Sequence, residues 1–394
     1  MSGARKPRQP DVLAQLADLL EQFGSFVTQI AGRLDRHWQR VTDGFALQEL
    51  WSQFKAEARY SYGLYSKDVD WEAIQGLTGW RRSLHIARAF FWAMLTKLPP
   101  ARRVFLLAAL VLVVVALINN QGGASILLAA GALLFSLVLE LADRVTMKRD
   151  LEIARDIQRW LVPTRAPEVE GIDIAFTTRP ANTVSGDYYD ALLRPPLPGF
   201  GDGRRLLIAV ADVAGKSIPA ALLMATIQAS LRTLAASATT LPELVSGVNR
   251  YACSNSLGGS RFTTAFLAEV DRTSNKLTYV NAGHNLPILL RSSGETERLE
   301  IGGLPLGIRP EAAYDAGETA LAAGDLLVIF TDGVVEAEDE RAQEYGEDKL
   351  ITELKTAPRG SAGEVLKRVM GSVDVFVGAT RQHDDITCLV LAAK

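Results

Sequence analysis

The hydrophobic pattern changes near the middle of the chain, from long apolar runs to shorter runs that alternate with turns. Residues 104–118 and 124–139 are almost uninterrupted apolar runs, and no charged residue occurs in either run or between them. The polar turn of residues 119–123 separates the runs. A spanning helix needs about 20 residues, so each run is somewhat short, and two buried core helices are the alternative. The absence of charge favours a two-helix transmembrane hairpin over residues 101–141.

The flanking segments predict further helices. Apolar residues from Leu13 to Leu34 recur at spacings of three and four, which predicts a helix with one apolar face. This face packs either on a second copy of the protein or on neighbouring elements of the same chain. Residues 38–98 are rich in aromatics, and their function is not readable from the pattern. After the hairpin, residues 140–161 predict a helix that Pro163 ends.

Positive charges set the expected orientation of the hairpin. Lysine and arginine flank it on both sides, and the turn between the runs has none. The flanking residues are Lys97, Arg102, Arg103, Arg144, Lys148 and Arg149. The positive-inside tendency then places both ends in the cytoplasm. We therefore expect a multi-pass protein of the cytoplasmic membrane whose N-terminal region and C-terminal domain face the same compartment.

From Gly171 onward, shorter apolar runs alternate with turns, which is typical of an α+β domain with antiparallel sheets. Strands are predicted at 172–178, 188–193, 206–210, 264–270, 276–280, 287–290, 326–330 and 386–391. Helices are predicted at 219–236, 241–256, 348–355 and 362–377. The expected organisation is a helical region of unknown function (1–100), the hairpin (101–141), a linker helix (142–163) and the α+β domain (164–394).

Composition narrows the class of protein. A chain of 394 residues predicts two or three domains, and its hydrophobic fraction of 48% agrees with a membrane segment. The net charge of −3 and the lack of a long basic run argue against a nucleic-acid partner. Cys253 and Cys388 have neither disulfide-framework nor zinc spacing.

Aspartates recur where apolar strands begin or end, at Asp187, Asp212, Asp332 and the pair Asp384–Asp385. A single aspartate at a turn is usually turn chemistry, but the recurrence indicates a site for hard ions such as Mg²⁺ or Mn²⁺. Two such ions could share a water that attacks phosphorus. No Walker A motif is present, which argues against nucleotide-driven transfer through a P-loop.

Six segments together indicate a resemblance to a known family, although each segment alone would be weak evidence for it. They are Val184–Asp190, Ala211–Ala221, Asn281–Asn285, Leu304–Ile308, Phe330–Gly333 and Asp384–Thr387. In this order they resemble the metal-dependent PPM (PP2C-like) serine/threonine phosphatases, in the bacterial SpoIIE/RsbU branch. The resemblance covers about residues 150–393, including residues 152–158 before the domain. It implies a PP2C-like antiparallel β-sandwich flanked by helices.

The resemblance also implies a site that holds two Mn²⁺ or Mg²⁺ ions. Its expected ligands are Asp187, Asp212, the Val213 carbonyl, Asp332, Asp384 and, with support favoured over ligation, Asp385. Asp212 is expected to bridge the ions, Asp187 to bind the second, and Asp332 and Asp384 to bind the first. The four aspartates Asp187, Asp212, Asp332 and Asp384 are thereby the catalytic residues, acting through metals and water.

Several nearby residues have open or divergent roles. Asp190 and Glu336 are either supporting groups or solvated acids, and His284 is interpreted as structural. Many PPM enzymes have Asp-Gly-His-Gly at the bridging site, where the histidine can act as general acid. Residues 212–215 are Asp-Val-Ala-Gly, so that acid is absent, and Ser217 stands where glycine is common in the branch.

We therefore expect a membrane-anchored phosphatase acting on phosphoserine or phosphothreonine of a regulatory protein, with a STAS-type anti-anti-sigma-like factor implied by the resemblance. Signals are expected to reach the site through residues 140–163, and residues 13–34 or 140–161 are candidate homodimer contacts. One alternative is a catalytically weak or inactive PPM-fold scaffold. Another is a soluble protein in which residues 104–139 form a buried hairpin.

Overall fold

A computed structural model describes residues 66, 69, 71, 80–119, 123–195, 205–215, 217–255, 261–271 and 274–394. The predicted helix over residues 13–34 and most of the aromatic-rich segment lie outside these residues. The chain divides into two compact units, Met1–Leu141 and Ala142–Lys394. Each unit is described by itself.

The first unit contains α1 (Trp80–Lys97), α2 (Pro100–Asn119) and the first part of α3 (Gly123–Leu161). Arg102 near the start of α2 donates to the Leu139 carbonyl over 3.1 Å and pairs with Glu140 over 2.5 Å. The rings of Phe105 and Phe135 meet edge to face at 5.4 Å. These contacts place α2 and α3 side by side and antiparallel.

The hairpin's second helix and the linker helix are one continuous helix, since α3 runs for 39 residues. No proline occurs within α3, and it ends two residues before Pro163. Among the described residues, three helices are long and apolar enough to cross a membrane: Pro100–Ile118, Gly123–Leu161 and Ile218–Ala235. The third buries Met224, Ile227 and Leu231 in the core of the second unit. Length and composition therefore do not by themselves distinguish a membrane-spanning helix from a helix of the folded domain.

The second unit is built from eleven strands and five further helices among the described residues. The strands are β1 (Ile172–Arg179), β2 (Tyr188–Leu193), β3 (Leu206–Val213), β4 (Thr263–Asp271), β5 (Lys276–Ala282), β6 (Ile288–Leu290), β7 (Thr296–Arg298), β8 (Gly302–Gly303), β9 (Gly317–Ala320), β10 (Leu326–Phe330) and β11 (Ile386–Ala393). The helices are α4 (Ile218–Ala235), α5 (Leu241–Asn255), α6 (Asp332–Val335), α7 (Glu347–Thr356) and α8 (Ala362–Val377).

The strands form two sheets. One has the order β1–β11–β10–β6–β7, and the other has the order β2–β3–β4–β5–β8 with β9 also paired to β5. All pairs between these strands are antiparallel except β5 with β8. The predicted α+β class with antiparallel sheets is confirmed. The strands β7, β8 and β9 were not predicted because they have two to four residues and no apolar run.

Side-chain alternation along the central strands explains the layers. In β3, Leu206, Ile208 and Val210 pack in the same core as Leu327 and Ile329 of β10, so this core lies between the sheets. The intervening residues of β3 instead pack with α4 and α5. The outer face of β10 packs with α7 and α8. A one-residue slip would turn each set to the wrong layer, so burial specifies the register.

The start of α4 contains backbone strain. Ser217 directly precedes α4 and has φ 69° and ψ −155°. This region of φ and ψ is essentially restricted to glycine, and placing a residue with a Cβ there costs about 1–3 kcal/mol. Glycine, which is common at this position in the family that the chain resembles, therefore suits the observed backbone better than serine.

We predict that Ser217→Gly raises the free energy of unfolding by about 1 kcal/mol, because relief of strain exceeds the extra unfolded-state entropy of glycine. Thermal or denaturant unfolding of the full-length protein measures the change. Ser237→Gly is the matched control, since Ser237 is exposed and is not among the described residues with positive φ. Equal destabilisation by both substitutions would contradict the inference that the backbone at Ser217 is strained.

Candidate active site

The strand registers bring the predicted aspartates to one end of the sandwich. In the second sheet Tyr188 pairs with Ala211, so Asp187 lies directly across from Asp212. In the first sheet Phe330 pairs with Cys388, so Asp332 follows β10 at the same edge where Asp384 precedes β11. Residues far apart in sequence therefore meet because antiparallel strands begin and end together.

Thr331 connects the two sheets at this edge. Its fully buried hydroxyl donates to Asp187 Oδ2 over 3.0 Å, and the Thr387 amide donates to the hydroxyl oxygen over 2.9 Å. The Thr331 amide also donates to the Thr387 carbonyl over 3.0 Å. Sequence reasoning missed this residue, although it lies between β10 and Asp332. Thr331 orients the Asp187 carboxylate from the opposite sheet.

Asp385 organises the loop before β2. Its Oδ2 accepts from the Ser185 hydroxyl over 2.8 Å and from the Gly186 amide over 2.7 Å. Its Oδ1 accepts from the Ala181 amide over 2.7 Å. The Ser185 hydroxyl oxygen in turn accepts from the Asp187 amide over 3.0 Å. These contacts agree with support by Asp385, while its ligation of a metal stays a prediction.

Asp332 and Gly333 begin a helical turn, because α6 starts at Asp332. Gly333 is required there by close approach. A Cβ on Gly333 would lie 2.0 Å from the Asp385 carbonyl oxygen, which is far inside contact distance. The glycine therefore lets the loop that carries Asp384 and Asp385 pack against α6.

The aspartates raise one another's affinity for protons. Burial raises the pKa of Asp187 well above its ordinary value, and the neighbouring charge of Asp212 adds to the shift. Burial also raises the pKa of Asp212 to about 7, with further contributions from Asp332 and Asp384. Repulsion between buried carboxylates destabilises the charged forms. A cation placed among them would offset that repulsion.

The donor chemistry fits hard divalent ions. Four carboxylates at one sandwich edge offer oxygen ligands only, as Mg²⁺ and Mn²⁺ prefer. The Val213 carbonyl faces the same loop, since it lies 3.2 Å from the position of a Cβ on Gly186. Within the described residues, however, no three His, Cys, Asp or Glu side chains already converge as a metal-binding group. The ligand set therefore stays a prediction.

Asp190 is buried and is held in an ion pair with a partly exposed arginine. Arg232 of α4 donates to both of its carboxylate oxygens over 2.7 and 2.9 Å, and the Tyr188 hydroxyl donates over 2.6 Å. Asp190 is fully buried, so its interpretation as a solvated acid is wrong. The pair ties β2 to α4 next to Asp187. Glu336, by contrast, is exposed at the end of α6.

His284 is buried between the sheets and has contacts that agree with a structural role. Its Nδ1 lies 3.1 Å from the Thr264 hydroxyl, and Thr264 pairs with Asp212 in the strand register. The His284 amide donates to Asn281 Oδ1 over 2.7 Å. Burial lowers the pKa of His284 to about 4, so the ring is neutral at physiological pH.

Gln158 of α3 contacts the same loop by two hydrogen bonds. Its side-chain amide donates to the Ser185 carbonyl over 2.6 Å, and its side-chain oxygen accepts from the Ser185 amide over 3.0 Å. Ser185 is two residues from Asp187. The sequence placed Gln158 in the segment resembling the family but did not reveal this contact. The C-terminal part of α3 is thus joined directly to the site.

Comparison with known proteins agrees with this architecture. The family model for stage II sporulation protein E (SpoIIE) matches residues 202–394. The phosphoserine phosphatase RsbU of Bacillus subtilis (strain 168) is 33% identical over 251 residues, which cover 63% of this chain and 71% of RsbU.

Two solved structures resemble the fold. The SiaA-PP2C domain of Pseudomonas aeruginosa matches with a TM-score of 0.55 at 23% identity, over 64% of this chain and 99% of that domain. The RsbU and RsbW domains of Rv1364c from Mycobacterium tuberculosis match with a TM-score of 0.50 at 25% identity. That match covers 59% of this chain and 63% of the other, so over a third of the solved chain lies outside it.

The order of the motifs, the shared sandwich and the similarity to RsbU lead to one assignment. The chain belongs to the SpoIIE family of PP2C-type, metal-dependent phosphatases and is a protein serine/threonine phosphatase.

Proposed function

We propose that this protein is a membrane-anchored phosphatase that removes phosphate from serine or threonine of a regulatory protein. The observation that carries the proposal is the gathering of Asp187, Asp212, Asp332 and Asp384 at one end of the sandwich. Thr331 and Asp385 hold this edge together by buried or half-buried hydrogen bonds. Such an arrangement suits metal-assisted phosphate hydrolysis, because the clustered carboxylates favour a bound divalent cation.

The proposed site holds two Mn²⁺ or Mg²⁺ ions. Asp212 would serve both ions with the Val213 carbonyl beside it, Asp187 would serve the second ion, and Asp332 and Asp384 would serve the first. When bound, such ions supply an activated water and offset charge on the phosphoryl oxygens. Thr331 keeps Asp187 oriented from across the sandwich. Since residues 212–215 lack a histidine, protonation of the leaving alkoxide would come from water or would be weaker than in enzymes that have this histidine.

Replacing Asp212 or Asp332 with Ala should lower the Mn²⁺-dependent kcat for a phosphoprotein at least about 100-fold. The reason is that losing even an outer partner of a metal ligand costs about 10–100-fold. A phosphate-release assay with full-length protein measures this, and isothermal titration measures Mn²⁺ binding. Asp315→Ala, at an exposed aspartate outside the site, is the control. Full activity of either site variant would refute these roles.

Membrane anchoring by α2 and the first part of α3 is supported by their exposed apolar surface. Within the described residues, only 17% of the most apolar stretch of α2 and 6% of that of α3 is buried. The corresponding share for α4 of the phosphatase domain is 39%. Leu117 and Ile118 of α2 and Leu127 of α3 are each more than 70% exposed. A soluble protein would rarely leave such a surface in water. The flanking positive charges support cytoplasmic placement of both ends.

Full-length protein should stay in the membrane fraction after an alkaline carbonate wash and should require detergent for extraction. Fractionation followed by immunoblotting measures this, with the same protein lacking residues 100–139 as the comparison. Recovery of the full-length protein in the aqueous fraction without detergent would support the buried-hairpin alternative instead.

The substrate class is proposed by similarity. RsbU is named a phosphoserine phosphatase, and the SpoIIE/RsbU branch that the motifs resemble acts on STAS-type regulators. We propose a phosphorylated regulator of this type as the substrate. We further propose that residues 140–161 contact a second copy. Ile153, Ile157 and Trp160 support this contact, since they form a stripe on α3 and are 50%, 48% and 83% exposed.

We also propose that α3 carries the signal to the site through Gln158. Gln158→Ala removes both contacts to Ser185 and should lower kcat about tenfold with little change in thermal stability, because the Asp187 loop loses its link to α3. Steady-state kinetics and unfolding of the full-length protein measure the two effects. Gln343→Ala, at an exposed glutamine, is the matched control. Unchanged kcat in Gln158→Ala would rule out this route.

A further inference from the structure

A cavity of about 530 Å³ lies between the C-terminal part of α3 and residues 178–187, and we call it the basic cavity. Four cationic and two acidic side chains line it. They are Lys148, Arg155, Arg159 and Arg381, with Glu152 and Asp187. The cavity therefore has an excess of positive charge, and it opens onto one of the proposed metal ligands.

The helix turns its charged face towards this cavity. Lys148, Arg155 and Arg159 recur at helical spacing and line the cavity, whereas Ile153 and Ile157 of the same helix are exposed to solvent. A helix that packed on the domain for stability alone would bury its apolar side instead. The charged lining points to a polar occupant.

The Nε of Arg155 lacks a hydrogen-bond acceptor. This atom is buried, although the side chain as a whole is 38% exposed and pairs with Asp156 over 3.7 Å. A buried guanidinium N–H without an acceptor is costly, and a carboxylate or phosphate is its preferred partner. The group is thus suited to an incoming anion.

Arg381 is placed between two of the proposed metal ligands. It lines the basic cavity with Asp187, and it also lines a neighbouring cavity of about 550 Å³ with Asp384. The backbone beside it is anchored, because the Gln382 side chain donates to the Arg179 and Asp384 carbonyls over 2.7 Å each. Arginine recognises phosphate by two parallel hydrogen bonds. Its position is that expected for contact with a phosphoryl group held at the site.

We propose that the basic cavity binds an acidic segment of the protein substrate, adjacent to the phosphorylated residue. Arg381 contacts the phosphoryl group, while Lys148, Arg155 and Arg159 contact aspartate or glutamate side chains of the segment. This inference rests on the proposed function and specifies the substrate further. A substrate segment is favoured over a separate small anion because the cavity leads directly to Asp187.

This arrangement makes α3 part of the substrate site. Since three of the four cations lie on α3, a shift of the helix changes affinity for the acidic segment as well as the position of the Asp187 loop. A signal that acts through α3 therefore changes KM for acidic substrates, in addition to the effect of Gln158 on kcat.

The test compares two phosphoserine peptides of equal length with the full-length protein in detergent and Mn²⁺. One peptide has aspartates on both sides of the phosphoserine, and the other has asparagines there. We expect kcat/KM to be about tenfold higher for the acidic peptide at low salt, and the ratio to fall towards one at about 0.5 M salt as charges are screened.

The double variant R155Q/R159Q should reduce this ratio to near one, whereas R165Q should keep it. Arg165 is an exposed arginine outside both cavities and is the matched control. A ratio near one in the unmodified protein, or a ratio kept by R155Q/R159Q, would overturn the inference.

A binding measurement separates this inference from the proposed function. Fluorescence anisotropy with non-hydrolysable phosphonate versions of the two peptides gives their affinities without turnover. Absence of hydrolysis of both phosphoserine peptides would refute the proposed function. Preference for the acidic phosphonate, lost in R155Q/R159Q, would still support the basic cavity, and equal affinities would reject it.

Discussion

The buried hydroxyl of Thr331 is the contact on which the rest of the site depends. It accepts from the Thr387 amide in its own sheet and donates to Asp187 from the other sheet. The sandwich core alone would hold the sheets together without specifying how their ends meet. This side chain, together with the Asp385 contacts to Ser185 and Gly186, orients the carboxylate that precedes β2 relative to those that follow β10 and precede β11. The edge that carries the proposed metal ligands therefore has a defined geometry on both sides.

Electrostatic repulsion is the cost of that geometry. Burial and neighbouring carboxylates raise the pKa of Asp187 and Asp212, so the chain by itself holds these groups with difficulty as anions. Hydrogen bonds to Asp385 and Asp190 lock the surrounding loop and β2 in place. The folded domain thereby maintains a site whose charge a divalent cation would balance. Under the proposed function, activity and metal occupancy would therefore be linked.

The linker helix has two relations to the site that differ in chemistry. Gln158 contacts the loop before Asp187 through neutral hydrogen bonds, whereas Arg155 and Arg159 present charge across a cavity. The first acts on the arrangement of the aspartates, and the second acts on what can approach them. One helix, continuous with an apolar segment that we propose to lie in the membrane, would therefore influence both turnover and substrate choice.

Much of the fold was predictable from local pattern. The apolar runs of β3, β10 and β11 and the amphipathic α8 were located from the sequence because burial imposes a period on each element. The motif order indicated the family, and the aspartates Asp187, Asp212, Asp332 and Asp384 were identified before their positions were known. Short strands such as β8 were missed, since two glycines carry no hydrophobic signal.

What the sequence by itself determined was thus the identity of the carboxylates, the α+β class and the apolar character of α2 and α3. Only the tertiary structure decided the partners: Thr331 for Asp187, Arg232 for Asp190 and Gln158 for Ser185. These contacts join residues between 27 and 144 positions apart in the chain. Sequence pattern reports the burial of each residue along its own element, whereas a long-range hydrogen bond depends on how separate elements pack.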